Sequence, residues 1–395
     1  MSARAMRFLR RLGAGTRAPL ARHARGCGRE TPVYSRSQQA PNGATRLYLA
    51  HGGHLPMNPV ETFEALQAAR LALAQIGAPL QGIIAAAAIG LALVAILPQA
   101  RRWRGLALGA AAALLLVGEA VLVWFHWRLW QIAQVVDPIT GQVTGRVAVP
   151  LWVESEKLYV WALAVAILGV FVKTHRKELL SGIMLVTAVL MAGGALLGQP
   201  FTDPVPGFLG QYAGYLQAMQ FGGQAAVGAF EGMEASRQFY YNAWYMWVHP
   251  PLLFFAYGCF AISFVATIQM IVARHSSFET TSYRWARLGY LPLTFGMLLG
   301  FPWAILAWSG ESWWWSGKVN MSIMMWLLYT AYLHARLYLR RKGMWKLVAA
   351  LSVLSFAILV MTYATTYLVP GAHSYAQGAP SAFAEVVLDA IGGGS

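Results

Sequence analysis

Eight stretches of this chain are apolar for long enough to cross a bilayer, near 78–98, 105–130, 158–172, 179–198, 244–273, 288–308, 320–337 and 347–369. About twenty such residues wound as a helix match a hydrocarbon layer of about 30 Å. Isolated strands of this composition would leave backbone groups unsatisfied in lipid, so the spans are predicted to be helical. The composition agrees, with 57% hydrophobic and 11% charged residues and a mean hydropathy of +0.49. An ordinary soluble domain carries about twice that charged fraction. The predicted fold is therefore all-α, a polytopic membrane bundle of about eight transmembrane helices. The run 158–172 is short, and its ends are expected to extend into the flanking loops. Met57 opens a segment, MNPVETFEALQAARLALAQIG, that reads as an amphipathic helix leading into the first span.

Lysine and arginine collect in cytoplasmic loops, which orients the bundle. The loops after the first, third, fifth and seventh spans hold fourteen basic residues, from Arg101, Arg102 and Arg104 to Arg340, Arg341, Lys342 and Lys346. The opposite loops hold only Arg146, Lys157, Arg237 and Lys318. Both termini are thus expected outside, in a periplasm or its equivalent; the expected location is a bacterial inner membrane.

The first 56 residues are of another character. They contain ten arginines, no lysine and one acid, Glu30, and contribute +9 of the formal net charge of +15. Such a tail could bind anionic lipid or serve as a transit peptide. It has no apolar core or helical period, however. Met57 is the expected working start, with the leader a gene-model artefact or a disordered extension. The expected organisation is the leader 1–56, the first four spans with external loops over 57–240, a functional core over 241–375 and an external tail 376–395. Cys27 and Cys259 lie far apart with no CxxC spacing, which excludes a disulfide framework.

The chemistry concentrates around residue 310. Trp303, Trp308, Trp313, Trp314 and Trp315 put five indoles inside thirteen residues, with His249, His334 and His373 on the same stretch of chain. A membrane-interface belt needs only one or two such rings per helix end and accounts well for Trp303. Three consecutive tryptophans face different directions and cannot all lie at one lipid boundary. The combination points to a flat aromatic cofactor, and haem is the obvious guest. His249 precedes Pro250 and Pro251, which read as the start of the fifth span and place its imidazole at the outer surface, where it could bind iron or simply water. His373 lies about four residues beyond the last span on the same side. His334 lies fourteen residues after Asn320, roughly 21 Å deep at 1.5 Å per residue. Two axial nitrogens on one iron are only about 4 Å apart, so His334 cannot share an iron with His249 or His373. Two haem positions follow if all three histidines are ligands. For the inner one, His126 lies at the wrong depth to be a partner, and His175 and His275 sit in basic loops.

Residues 282–374, with SYRWARLGYLPLTFGMLLGFPWAILAW, SGESWWWSGKVNMSIMMWLLYTAYLHARL and PGAHSYA, resemble the tail of the cytochrome c assembly family of CcsA/ResC type. The upstream WYMWVHPPLLFFAYG resembles the histidine-bearing helix start shared with CcmF-type relatives. The likeness covers about residues 240–375. It implies that His249 and His373 are axial ligands of an external haem b, that the tryptophan segment is the haem-binding WWD-type domain, and that His334 is one ligand of an intramembrane haem. It also implies an activity, cytochrome c synthase (haem lyase): haem is presented outside and joined by thioether bonds to the CxxCH thiols of apocytochrome c. The implied partners are a ResB/Ccs1-type membrane protein supplying the missing inner ligand, apocytochrome c, a thiol-reducing protein and membrane lipid, with no nucleic acid. One departure stands out: the family continues W-x-W into an acid, whereas Trp315 is followed by Ser316, Gly317 and Lys318. Two alternatives use related chemistry, a non-catalytic haem exporter or chaperone and a cytochrome b-like respiratory subunit.

Overall fold

The computed structural model describes residues 58–172, 177–274, 276–307, 316–338 and 344–368, all within one compact unit, Leu55–Ser395. Helix α1, Pro59–Ile96, starts where the Asn58 side chain accepts the Val60 N–H at 3.0 Å and Pro59 needs no donor. At 38 residues it is about 57 Å long, nearly twice the hydrocarbon thickness. The amphipathic segment and the first span are therefore one continuous helix, longer than the hydrocarbon layer is thick.

A 3-10 turn, Pro98–Trp103, leads into α2, Arg104–Ile132. Then comes an antiparallel hairpin, β1 Gln134–Val136 and β2 Val143–Arg146, with Gln134 opposite Arg146 and Val135 opposite Gly145. A second 3-10 turn, Glu154–Glu156, precedes α3, Lys157–Val170. Helix α4 is Lys177–Gly193, closed by a π-turn at Gly194–Gly198. Two shorter helices, α5 Pro206–Phe221 and α6 Gly223–Ser236, occupy the stretch expected as an external loop. The remaining helices are α7 Trp244–Ala273, α8 Ser276–Ala307, α9 Gly317–Leu337 and α10 Met344–Leu368.

Among the described residues six helices are long and apolar enough to cross a membrane, as an all-α multi-pass bundle requires. At 14 residues α3 falls short, and its ends do not extend as expected. Just upstream, Glu154 takes a left-handed φ of 47° and turns its carboxylate onto the start of α5, which stops helix propagation. Helix α9 is not among the six, since it carries Lys318, Asn320, Ser322, Thr330, His334 and Arg336 among its apolar residues.

The apolar residues sort into two cores. One runs through the bundle, with Leu115, Tyr159, Ile183, Phe260, Tyr329 and Leu359 buried. The other holds a cap built from the ends of α1 and α2, the hairpin, α5 and α6, around Leu73, Phe125, Val135, Phe208 and Tyr212. The outward edge of β1 is closed by two tyrosines one turn apart on α5. Tyr212 Oη accepts from Gln134 N at 2.8 Å and donates to Gln134 O at 2.7 Å, while Tyr215 Oη does the same for Val136 at 2.8 and 3.1 Å. Each hydroxyl stands in for a neighbouring strand, so the edge is not left open. Gly118 admits the packing of α3 on α2, since a Cβ there would collide with the Tyr159 hydroxyl.

At the basic end, Arg101 pairs with Glu178 and Arg336 with Glu279, at 2.5 and 2.8 Å. These pairs tie the starts of α2 and α4, and the end of α9 to the start of α8, as alternating spans require. Within the bundle Ser263, Thr267, Ser282, Tyr332 and Ser352 bond through their hydroxyls at 2.8–3.0 Å, joining α7, α8, α9 and α10. Interhelical polar contacts of this kind hold helices together where lipid offers no hydrophobic drive.

Candidate haem cavity

Below the cap, α7, α8, α9 and α10 enclose a cavity of about 400 Å³ that reaches to the turn before α3. That volume lies within the usual range for small-ligand sites. Its walls are mainly apolar, from Leu253, Phe254, Leu293, Met297 and Ile323. A few polar groups converge on them: His249, Lys157, Lys318, Glu154 and Tyr257.

His249 stands in the second turn of α7, not at its entrance, because the helix starts five residues earlier at Trp244. Pro250 and Pro251 lie inside the helix. Pro250 has no N–H to give the Met246 carbonyl four residues back. The Trp152 indole donates to that carbonyl instead, at 2.5 Å. The ring of His249 is set by α8: its Nδ1 lies 2.6 Å from the Gly296 carbonyl. A carbonyl only accepts, so Nδ1 carries the proton and Nε2 keeps its lone pair. That is the tautomer of a metal-ligating imidazole with a backbone carbonyl behind it. Gly300, one turn further, leaves room for the ring. A Cβ there would stand 2.8 Å from the imidazole Cε1. One ring nitrogen of His249 is thus committed to the protein backbone.

Trp303 is buried, with its Nε1 donating to the Phe239 carbonyl at 2.7 Å and its ring 6.2 Å from that of His249. It is a wall of the cavity rather than part of a lipid-facing belt. Tyr257 lines the cavity two turns below His249, and its hydroxyl makes no hydrogen bond among the described residues.

The polar side of the cavity adjoins the cap. Glu154 accepts from Gly207 N and Phe208 N at 2.6 and 3.0 Å, placing an acid on the positive end of α5. Burial nonetheless raises its carboxyl above the ordinary range. Lys157 and Lys318 stand just ahead of the segments expected to span, 158–172 and 320–337. Burial, and then the charge of Lys318, drives the Lys157 ammonium well below its usual range. Burial alone brings Lys318 down to about 8. Lys318 has no acidic partner among the described residues. Ser316 caps α9, its hydroxyl accepting the Val319 N–H at 3.4 Å. Ser316, directly after the three tryptophans, is thus a helix N-cap, a role that suits serine.

His334 is not in this cavity. It lies on the exposed face of α9, with Nδ1 donating to the Thr330 carbonyl at 2.8 Å. His126 is unavailable to it, because both ring nitrogens are bonded, to the Val149 carbonyl and to Glu156. Trp308, Trp313, Trp314, Trp315 and His373 lie outside the described residues. No group of three or more histidine, cysteine, aspartate or glutamate residues suited to a bare metal ion occurs among the described residues.

Residues 151–373 match the family described as Cytochrome C assembly protein, more than half of the chain. The chain belongs to that family. The family match begins beside Trp152, well upstream of the stretch that carries the resemblance in the sequence, and so takes in α3 to α6 as well. Among curated relatives, a cytochrome c biogenesis protein CcsA of Prochlorococcus marinus is 37% identical over 110 residues, 27% of this chain and 34% of the relative. The cytochrome c-type biogenesis protein NrfE of Haemophilus influenzae is 36% identical over 118 residues, 29% of this chain and 18% of the relative. The cytochrome c-type biogenesis protein CcmF of Escherichia coli is 29% identical over 135 residues, 32% and 21% respectively. The chain thus spans about a third or less of the length of the curated relatives it matches. Membership of the cytochrome c assembly family makes this a multi-pass membrane protein of cytochrome c biogenesis.

Proposed function

We propose that the chain binds haem b in the cavity, with Nε2 of His249 as one axial ligand and His373 as the other, and presents it for attachment to apocytochrome c. The observation that carries this reading is the imidazole of His249, locked by Gly296 and Gly300 with its free nitrogen in an apolar cavity. The donor set fits: one neutral imidazole, an indole wall at Trp303 and cations at the polar end. Bound haem supplies two vinyl groups, across each of which a cysteine S–H of CxxCH adds, sulfur bonding one carbon and hydrogen the other.

The protein's own residues contribute position rather than acid–base chemistry. Gly296 fixes the tautomer and angle of His249, Trp303 closes one wall, and the cap that includes α5 and α6 borders the polar end. On this reading the cavity faces the periplasmic side of a bacterial inner membrane, as the basic loops at the other end favour. Trp308, Trp313, Trp314 and Trp315 would extend the platform begun by Trp303. His334, on an exposed helix face with its Nε2 uncommitted among the described residues, would share an inner haem with a histidine of a ResB/Ccs1-type partner. A thiol-reducing protein would keep the recipient cysteines reduced. Absorption spectra of the purified protein and its His249→Ala and His373→Ala variants test the outer site. Loss of the bis-histidine spectrum in both is expected; unchanged haem content and unchanged axial-ligand spectra would refute it.

A non-catalytic exporter would use the same ligands, and the serine in place of the acid at 316 favours it. Co-expression with a CxxCH reporter separates the two. Covalent haem that survives denaturation marks the synthase.

A further inference from the structure

The cavity is chemically lopsided. Toward the bundle centre it is lined by Leu253, Phe254, Leu293 and Met297, and toward the cap by two lysines from different helices, Lys157 at the start of α3 and Lys318 at the start of α9. Lys318 lies close enough for its charge to be felt at both Lys157 and His249, so the lysines and the imidazole share one end of the cavity. Two lysines brought together in an apolar setting repel each other and lose hydration whenever both are charged, so in the empty site each disfavours the charged form of the other. The charge of Glu154 acts on Lys157 more weakly than burial and Lys318 do. The Lys318 ammonium has neither a hydrogen bond nor an ion pair among the described residues, and it occupies the second position of a helix, where the dipole disfavours a cation. A ligand bringing negative charge to this end would relieve all three effects.

We propose that Lys318, with Lys157 beside it, forms an anion-recognising end of the cavity that receives the two carboxylates of the porphyrin and so fixes which edge of haem faces inward. This rests on the haem reading of the cavity. Anchoring the carboxylates at the cap side sends the opposite, vinyl-bearing part of the ring away from the lysines, along the apolar walls. A porphyrin placed the other way would bury its carboxylates against Leu253 and Phe254, away from both lysines. Lys318 is thereby an orientation-determining residue and not a ligand of iron.

The test titrates the purified full chain, stripped of haem, with haemin and with haemin dimethyl ester, whose carboxylates are blocked. His249-dependent absorption is the readout. The wild type should prefer haemin by about tenfold or more, the scale of a charge-assisted bond. Lys318→Met should reduce that preference to within about threefold, by weakening haemin and not the ester, while Lys318→Arg keeps it. An unchanged preference in Lys318→Met, with the histidine-ligated spectrum intact, would overturn the proposal and leave the haem reading standing. That result would also be the outcome if the lysines served a lipid phosphate. If neither porphyrin gave a His249-dependent spectrum, the haem reading would fall and the orientation with it.

Discussion

His126 on α2 and Glu156 in the turn before α3 form a buried pair, with Nε2 2.6 Å from the carboxylate Oε1. The other ring nitrogen faces the Val149 carbonyl at 2.7 Å and must carry a proton, because a carbonyl can only accept. One proton is then shared across the Nε2–Oε1 contact, and the pair is neutral as a unit whichever partner holds it. Its place is structural: it pins the segment between the hairpin and α3, from which Trp152, Glu154 and Lys157 enter the cavity. Removing one partner strands the other in the interior. Glu156→Leu should cost about 3–5 kcal/mol, whereas His126→Leu combined with Glu156→Leu should cost less than either single change. Thermal unfolding in detergent measures this, and a double variant as unstable as the sum of the singles would contradict it.

Gly300 gives a prediction in which stability and binding move in opposite directions. Alanine in a helix interior is favoured over glycine by about 0.5–1 kcal/mol, and α8 should hold its fold or gain slightly. The added Cβ, however, would stand 2.8 Å from the imidazole of His249 and must turn the ring off its bond to Gly296. Haem affinity of Gly300→Ala should fall by about tenfold or more, consistent with the loss on disturbing a group that orients a metal ligand. Titration by absorbance beside a circular dichroism melt reads both quantities. Equal affinity with an unchanged spectrum would mean that Gly300 has no part in holding the ring.

Much of the bundle was legible because apolar length is a local property: α2, α7, α9 and α10 fall close to the spans read from hydropathy alone. The helices α5 and α6 were not, since QYAGYLQAMQFGGQAAVGAF lacks an apolar run and is rich in glycine, and its helical state depends on packing Phe208, Tyr212 and Tyr215 against the hairpin. His249 was legible as a candidate, but the proline pair beside it reads as a helix start when it is in fact the second turn. The groups that make it a ligand could not be read. Gly296 is 47 positions away and Trp152 is 94 positions from the Met246 carbonyl, and only the tertiary fold brings them together. His126 was set aside on depth, while the bonds that occupy both its ring nitrogens, to Val149 and Glu156, are likewise a tertiary fact.

Trp152 and Pro250 are coupled through an atom that belongs to neither. Proline removes the N–H that would satisfy the Met246 carbonyl, and the indole N–H takes its place. Trp152→Phe should therefore leave a partly buried carbonyl without a donor, at about 1–3 kcal/mol. Pro250→Ala restores a helical N–H four residues along, so the double variant should be more stable than Trp152→Phe alone. Melting temperatures of the four proteins close the cycle. Additive effects, with no recovery in the double variant, would show that the carbonyl finds another partner.

The cap offers a pH test remote from the membrane. Glu234 accepts from Arg237 Nε at 2.7 Å, from Gln238 at 2.6 Å and from Thr144 on β2 at 2.9 Å, so it ties α6 to the hairpin. These bonds, that to Arg237 first, hold its carboxyl down at about 2, against an ordinary 4.5. A carboxyl depressed in the folded state contributes stability that is complete above the ordinary value and is lost as pH falls from about 4.5 towards 2. Amide exchange at Val143–Arg146, normalised to unfolded rates, should thus lose protection between pH 5 and pH 3 in the wild type. Glu234→Gln keeps a neutral acceptor at every pH, and should show weaker but pH-independent protection over the same interval. Equal losses in the two proteins would place the acid sensitivity of the hairpin elsewhere.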